Sequence, residues 1–197
     1  SFPAGIRDVI RFNKDGFFGF TPEATEALRL PDLAVYAVVE NTGEERRNYL
    51  SNYSNEINWG YGYNLDMEGG SARAFTSNGT EQSISDWVVG NSGPVGMNYL
   101  TTVIDGSAGH KAMYESGNLL GDVGITEIGY TPNTGMSVGT LGALDIDYFF
   151  FRGDIAEILV YPAAHGAEDM AAVHSYLNAK YVPEPVGALL MGVGVLM

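Results

Sequence analysis

Hydrophobic and polar positions alternate over most of the chain, in short runs that are separated by clusters of Gly, Asn, Asp and Pro. Alternation with a period of two, in runs rich in β-branched and aromatic residues, is typical of strands with one buried face. The pattern predicts extended segments at residues 9–12, 17–20, 33–39, 48–52, 57–65, 72–76, 84–89, 97–104, 111–115, 117–120, 137–141 and 155–161. So many short strands need two packed sheets.

One segment follows a helical period instead. Over residues Ala167–Tyr181, the apolar residues Met170, Val173 and Leu177 recur at intervals of three and four, which places them on one face of a helix. Acidic residues lie in the first predicted turn and Lys180 in the last, as the helix dipole favours. The pattern therefore predicts an all-β sandwich of two antiparallel sheets with one C-terminal amphipathic helix.

Composition narrows the classes of partner and chemistry. The chain has 24 acidic and 10 basic residues and a formal charge of −14, which repels nucleic-acid phosphates, so we expect no nucleic-acid partner. The adjacent pair Arg46 and Arg47 directly follows two glutamates and forms no basic patch. The chain has no cysteine, which excludes disulfides, a thiol nucleophile and thiolate metal sites.

Residues 183–197 differ in composition from the rest of the sequence. Pro183, Glu184 and Pro185 lead into residues 186–197, which carry no charge. This run is shorter than the roughly 20 apolar residues that a membrane-spanning helix needs. We therefore expect a domain at residues 1–181, followed at 182–197 by a linker and a truncated apolar segment.

Two stretches resemble known families. Residues 151–161, with Gly-Asp-Ile-Ala-Glu-Ile at 153–158, and the predicted helix after them resemble the closing strand and helix of bacterial laminin-G-like (concanavalin A-like lectin/glucanase) domains. This resemblance covers residues 7–181 and implies a jelly-roll β-sandwich. Relatives usually carry a further strand-forming segment before residue 9, so we expect an incomplete N-terminus or a sheet edge that a partner completes.

Residues 183–185 and the apolar run after them resemble the PEP-CTERM sorting signal. The resemblance implies export by a Gram-negative-type bacterium, transient contact with the membrane and an exosortase, and a place at the cell surface or in an extracellular biofilm matrix. The longer membrane helix and the Arg-rich tail of that signal are missing from this sequence.

Catalytic motifs do not match. Glycosidases of this fold carry Glu-x-Asp-x-x-Glu on one strand, whereas the nearest string here has Asp145, Asp147 and Phe150 at those positions. The three histidines lack metal-binding spacing, and the string Gly90-Asn91-Ser92-Gly93 lacks the Gly-x-Ser-x-Gly spacing of a nucleophile elbow. We therefore expect a protein that is not an enzyme.

Aromatic residues at a spacing of two suggest a binding row. Trp59, Tyr61 and Tyr63 share one face of a predicted strand, with Gly60 and Gly62 on the other face. Such a row can stack on sugar rings or fill the core of the sandwich, and both interpretations stay open.

The resemblance implies one candidate cofactor, calcium, because many laminin-G-like domains hold one structural ion; the alternative is that the acidic residues form solvated loops and bind no cofactor. The oxygen donors near predicted strand ends are Asp154, Asp145, Asp147, Asp66 and Asn64. Ala156 stands where many relatives have Asp, which departs from the family pattern.

The sequence thus predicts a non-catalytic exported surface or matrix protein that binds a polysaccharide or other glycan as an adhesion module. The first alternative is a structural subunit of an extracellular matrix or filament that self-assembles as a homo-oligomer through a sheet edge. A glycoside hydrolase is a distant third.

Overall fold

The computed structural model describes residues 9–13, 16–21, 23–42, 46–54, 60–68, 70–89, 97–132, 134–140 and 149–181. Within these ranges the strands are β1 (Ile10–Asn13), β2 (Phe18–Gly19), β3 (Asp32–Asn41), β4 (Arg47–Ser54), β5 (Tyr61–Glu68), β6 (Ser71–Asn78), β7 (Gln82–Val88), β8 (Asn98–Asp105), β9 (His110–Glu115), β10 (Asn118–Gly124), β11 (Gly135–Val138) and β12 (Arg152–Tyr161). A 3-10 helix, Glu23–Leu28, follows β2, and the α-helix α1, Ala167–Tyr181, follows β12.

The strands form two antiparallel sheets of six. Sheet I has the order β1-β12-β3-β8-β9-β10, and sheet II has the order β2-β11-β4-β5-β6-β7. In sheet I, the first described strand, β1, pairs with the last described strand, β12. The middle of sheet II is a meander in which β4, β5, β6 and β7 pair in chain order.

The core lies between the two sheets. Leu33, Val35 and Ile104 from sheet I meet Leu50 and Leu65 from sheet II in one apolar cluster, and all five side chains are buried. Because side chains alternate along a strand, the residues between these positions point to the outer face of each sheet.

A buried lysine crosses this core. Nζ of Lys111, on β9 of sheet I, donates hydrogen bonds to the carbonyl oxygens of Ala74 and Ser83 in sheet II, each at 2.7 Å. Burial disfavours the charged amine and lowers the pKa of Lys111 to about 7. The two carbonyl partners explain how a lysine is accommodated between the sheets.

Helix α1 covers the outer face of sheet I. Val173, Leu177 and Tyr181 are buried against a second cluster that includes Tyr36 and Tyr99. Among the described residues, no helix is long and apolar enough to cross a membrane.

The sequence predictions of secondary structure are confirmed. Each of the twelve predicted segments overlaps a strand, and α1 has the predicted bounds. The 3-10 helix Glu23–Leu28 was not predicted, because six residues are too few for a periodic signal. The proposed boundary after residue 181 and the motif Pro183, Glu184 and Pro185 lie outside the described residues.

Candidate functional site

Strand β5 determines which residues form the outer face of sheet II. Tyr63, Leu65 and Met67 enter the core, so Asn64 and Asp66 between them face outward. This outer face is not the one that α1 covers, since the helix packs on sheet I.

The strand register brings four charged side chains together on this face. Asp66 pairs with Arg73 of β6, and Arg73 pairs in turn with Asp86 of β7. Arg73 Nε lies 2.6 Å from Asp86 Oδ1 and 3.7 Å from Asp66 Oδ1, and its Nη1 donates to Glu68 Oε2. We call Asp66, Glu68, Arg73 and Asp86 the ionic cluster.

The cluster runs from a buried floor to an exposed rim. Asp66 is 0% exposed, whereas the side chains of Glu68 and Asp86 are 49% and 55% exposed. Burial raises the pKa of Asp66 to about 6, against the opposing effect of Arg46 and Arg73. Arg46 Nε lies 2.9 Å from Asp66 Oδ2, so this carboxylate has a guanidinium on each side.

An apolar row lies beside the ionic cluster. Phe75 pairs with Ile84, two residues along the strands from the pair of Arg73 and Asp86. The rings of Tyr53 and Phe75 meet edge to face with centroids 5.6 Å apart. Ile84 is 46% exposed. We call Tyr53, Phe75 and Ile84 the apolar row.

Gly62 shapes the end of this row. It pairs with Tyr53 and has a φ of 99°, in the region that favours glycine. A Cβ at this position would lie 1.9 Å from the carbonyl oxygen of Asn52. The outer face therefore has no side chain at the position beside Tyr53.

Two buried amides line the floor of the same face. Asn64 Nδ2 donates to Asp66 Oδ2 at 3.2 Å, while Asn64 Oδ1 finds no hydrogen-bond partner among the described residues. The side-chain oxygen and nitrogen of Asn48, which pairs with Asp66, likewise lack a partner within the described part of the chain. Buried polar atoms without partners are rare in folded proteins and direct attention to this face.

The structure separates the aromatic residues that the sequence singled out. Tyr63 is fully buried in the core, which corrects its assignment as a carbohydrate-binding residue, because no sugar reaches a side chain between the sheets. Tyr61 is half-buried, and a Cβ added at Gly79 would lie 2.4 Å from its ring. Trp59 lies outside the described residues.

The predicted metal ligands do not converge. Asp154 is on sheet I, where both carboxylate oxygens accept hydrogen bonds from Arg11 at 2.8 Å. Asn64 and Asp66 lie together on sheet II, and Asp145 and Asp147 are outside the described residues. Within the ranges that the structure describes, no three acidic, His or Cys side chains gather as metal ligands.

The described donors therefore do not fit a calcium site. The two guanidinium groups beside Asp66 repel a second cation, and Arg11 holds both oxygens of Asp154. Calcium stays a prediction that rests on the family resemblance.

Sequence reasoning missed the ionic cluster. A signal was present, since Asp66 and Glu68 alternate with Tyr63 and Leu65, and Gly69 and Gly70 mark a tight turn into the next strand. Extending that register across β6 and β7 places Arg73 and Asp86 beside the two acidic residues.

The two six-stranded sheets define the class of fold, a concanavalin A-like jelly roll. A Ruminococcus gnavus IT-sialidase CBM40 bound to α2,3-sialyllactose is similar with a TM-score of 0.70 and 16% identity, over 85% of this chain and 97% of that one. A SAP-like pentraxin from Limulus polyphemus has a TM-score of 0.59 and 15% identity, over 87% and 84%. The NanB sialidase from Streptococcus pneumoniae has a TM-score of 0.64 and 13% identity, over 82% of this chain and 26% of the sialidase.

At these identities the likeness shows the fold. No protein-family model matches the chain, and a comparison with curated proteins also found no match.

Proposed function

We propose that this chain is a non-catalytic carbohydrate-binding module, and that it binds glycans on the outer face of sheet II. The observation that carries the proposal is the apolar row beside the ionic cluster, on a face that α1 does not cover. Apolar surface next to a few fixed polar groups is the usual composition of a small-molecule site.

Each part of the face has a role in sugar recognition. The apolar C–H face of a pyranose ring packs on the side chain of Ile84 and on the small exposed part of Phe75, which is 8% exposed, and its hydroxyl groups donate hydrogen bonds to Glu68 and Asp86. Arg73 already holds both carboxylates in position. Because these acceptors are fixed before binding, less conformational entropy is lost when the sugar docks.

The similar structures support this proposal. The R. gnavus CBM40 is described in complex with α2,3-sialyllactose and, in a second structure, with α2,6-sialyllactose. The absence of catalysis is part of the proposal and is supported by Phe150, which stands at the acid/base position of the glycosidase motif. Its ring packs against Phe17 with centroids 6.0 Å apart.

Two exposed apolar residues on opposite faces test the location of the site. Ile84 on β7 is 46% exposed on the outer face of sheet II, and Leu119 on β10 is 57% exposed on sheet I. On a glycan array followed by titration calorimetry, we expect Ile84→Ala to weaken binding severalfold and Leu119→Ala to leave it unchanged. Phe75→Leu, which keeps the volume apolar but removes the ring, should weaken binding about tenfold.

Equal effects of Ile84→Ala and Leu119→Ala on glycan affinity would show that the binding site does not lie on the outer face of sheet II. A wild-type protein that binds no glycan on the array would contradict the proposed function itself.

We also propose that the protein is exported to the cell surface or the extracellular matrix. The support is the resemblance of residues 183–185 and the apolar run after them to a PEP-CTERM signal, which also underlies the proposed contact with a membrane and an exosortase. Fractionation of cells that express the natural gene, with and without substitution of Pro183 and Pro185, tests the proposal. Retention of the altered protein inside the cell supports it, and equal export of both contradicts it.

Self-assembly is the second candidate function, and one observation favours it. Ile10, Phe17, Phe18 and Phe20 are each 41% exposed or more, and they lie in or beside β1 and β2, which are edge strands of the two sheets. Exposed apolar side chains at a sheet edge favour pairing with a second copy. Sedimentation velocity tests this: a monomer at all concentrations would contradict it.

A further inference from the structure

An acidic sugar needs a cation to pair with its carboxylate, and the outer face of sheet II has two described guanidinium groups. Arg73 lies between Asp66, Glu68 and Asp86, with Nε 2.6 Å from Asp86. Arg46 pairs with Asp66 at 2.9 Å, and its guanidinium lies over the ring of Phe149, 4.6 Å from the centroid. Both cations therefore already have carboxylate partners from the chain itself.

The balance of charge on this face is negative. The ionic cluster and Arg46 together hold three carboxylates and two guanidinium groups, and the whole chain has a formal charge of −14. The exposed side chains of the cluster are Glu68 and Asp86, so an approaching carboxylate meets like charge first. Like charges a few ångströms apart near a protein surface repel appreciably even through water.

Neutral hydroxyl groups suit the same arrangement. Carboxylates that are ionised only accept hydrogen bonds, and each sugar hydroxyl can donate one. The unpartnered amide of Asn48 and the Oδ1 of Asn64, in the buried floor beside Asp66, add neutral polar groups to the same face.

Resting on the proposed carbohydrate-binding function, we infer that this face selects neutral glycans and excludes acidic ones, and that Glu68 and Asp86 determine this specificity. They do so in two ways: they occupy Arg73, and they present negative charge at the exposed rim. The likeness to modules bound to sialyllactose therefore extends to the fold but not to the charge of the preferred sugar.

The experiment compares two double variants that remove equal charge. Glu68→Gln with Asp86→Asn releases Arg73 from both exposed partners, while Asp122→Asn with Glu168→Gln removes two carboxylates from β10 and α1, which belong to the other side of the sandwich. The probes are oligosaccharides printed in pairs that differ only by a terminal sialic or uronic acid. Thermal melts verify that all proteins are folded, as expected for substitutions of exposed side chains.

We expect the wild-type protein and the Asp122/Glu168 variant to prefer the neutral member of each pair by roughly tenfold or more. In the Glu68/Asp86 variant the ratio should fall by a similar factor, because Arg73 becomes available to the acidic sugar. A wild-type preference for acidic glycans, or an unchanged ratio in the Glu68/Asp86 variant, would overturn the inference while leaving glycan binding intact. Failure of the wild-type protein to bind either member of any pair would instead overturn the proposed function.

Discussion

The outer faces of the two sheets both carry aromatic side chains but differ in what covers them. On sheet I, Tyr36 and Tyr99 pack against α1, with the rings of Tyr99 and Tyr181 6.1 Å apart. On sheet II, ion pairs link neighbouring strands across the sheet. The first face is covered by the chain's own helix, and the second face leaves the side chains of Glu68 and Asp86 about half exposed.

The polar groups of the two faces also find partners differently. On sheet I they bond to groups beyond the sheet: Thr101 Oγ1 lies 2.8 Å from His174 Nε2 of α1, and Tyr36 Oη lies 2.8 Å from His165 Nδ1. On sheet II the side chains of the ionic cluster bond to one another within the sheet. The outer face of sheet I therefore depends on α1 and on His165 for the partners of its polar groups, whereas the outer face of sheet II depends on strand register.

Removal of a helix anchor should produce the largest effect. Leu177 is 2% exposed and lies in the cluster between α1 and sheet I. Leu177→Ala should lower the free energy of unfolding by about 2–5 kcal/mol, because it leaves a cavity under the helix. Urea denaturation measures the change, and Asn178→Ala at the next, exposed position is the control.

Glycan affinity of the folded Leu177→Ala protein should stay at the wild-type value. A large loss of glycan affinity would show that the outer faces of sheets I and II are coupled, and would contradict their separate stabilisation by α1 and by strand register.

Removal of the central cation of the ionic cluster should produce an intermediate effect. Arg73→Met leaves Asp66 buried with Arg46 as its remaining guanidinium partner. The carboxylates of the ionic cluster then lie close together without the guanidinium that they share. We expect a loss of about 1–3 kcal/mol at pH 7 in the same urea assay. Arg152→Met, which removes an exposed arginine from β12, should change stability little.

Loss of Arg73 raises the pKa of Asp66 above its wild-type value of about 6, and protonation then removes the unpaired charge, so the difference between Arg73→Met and wild type should shrink as the pH falls toward about 6. A difference that does not change with pH would mean that Arg73 acts through packing rather than charge.

The smallest expected effect is a pH response of the helix face. Burial lowers the pKa of His174 from its ordinary value of 6.5. The unfolded chain therefore binds a proton more readily than the folded protein, so the contribution of His174 is present above about pH 6.5 and is lost as the pH falls below it. Thermal melts from pH 7.5 to 5 should show a shallower slope for His174→Gln than for wild type. An equal slope for His174→Gln and wild type would contradict the assignment.

Local patterns predicted the fold well because each element has its own signal. The strands alternate since one face of each is buried, and the charges at the ends of α1 agree with its dipole. The period of two placed Tyr61 and Tyr63 on one side of β5, but a period does not say which side meets the core. That choice is set by packing against sheet I, so Tyr63 became a core residue.

The candidate site depends on contacts that no local pattern carries. Asp66 and Asp154 were grouped as metal ligands, yet they lie on different sheets, because β5 pairs within sheet II whereas β12 pairs with β1 and β3 in sheet I. Arg73 and Asp86 gain their significance from the register of three strands. Once β5 is oriented, the short turns of the meander make this register accessible to sequence reasoning.

The connectivity of sheet II places the ionic cluster in one short stretch of the sequence. All members of the ionic cluster come from the uninterrupted stretch between Asp66 and Asp86, which folds as consecutive hairpins. A single recombination event within the gene can replace this stretch as a cassette, while the helix face and the pairing of β1 with β12 are inherited unchanged. Under the proposed function, replacement of this stretch would change the glycan specificity of the domain without changing its fold.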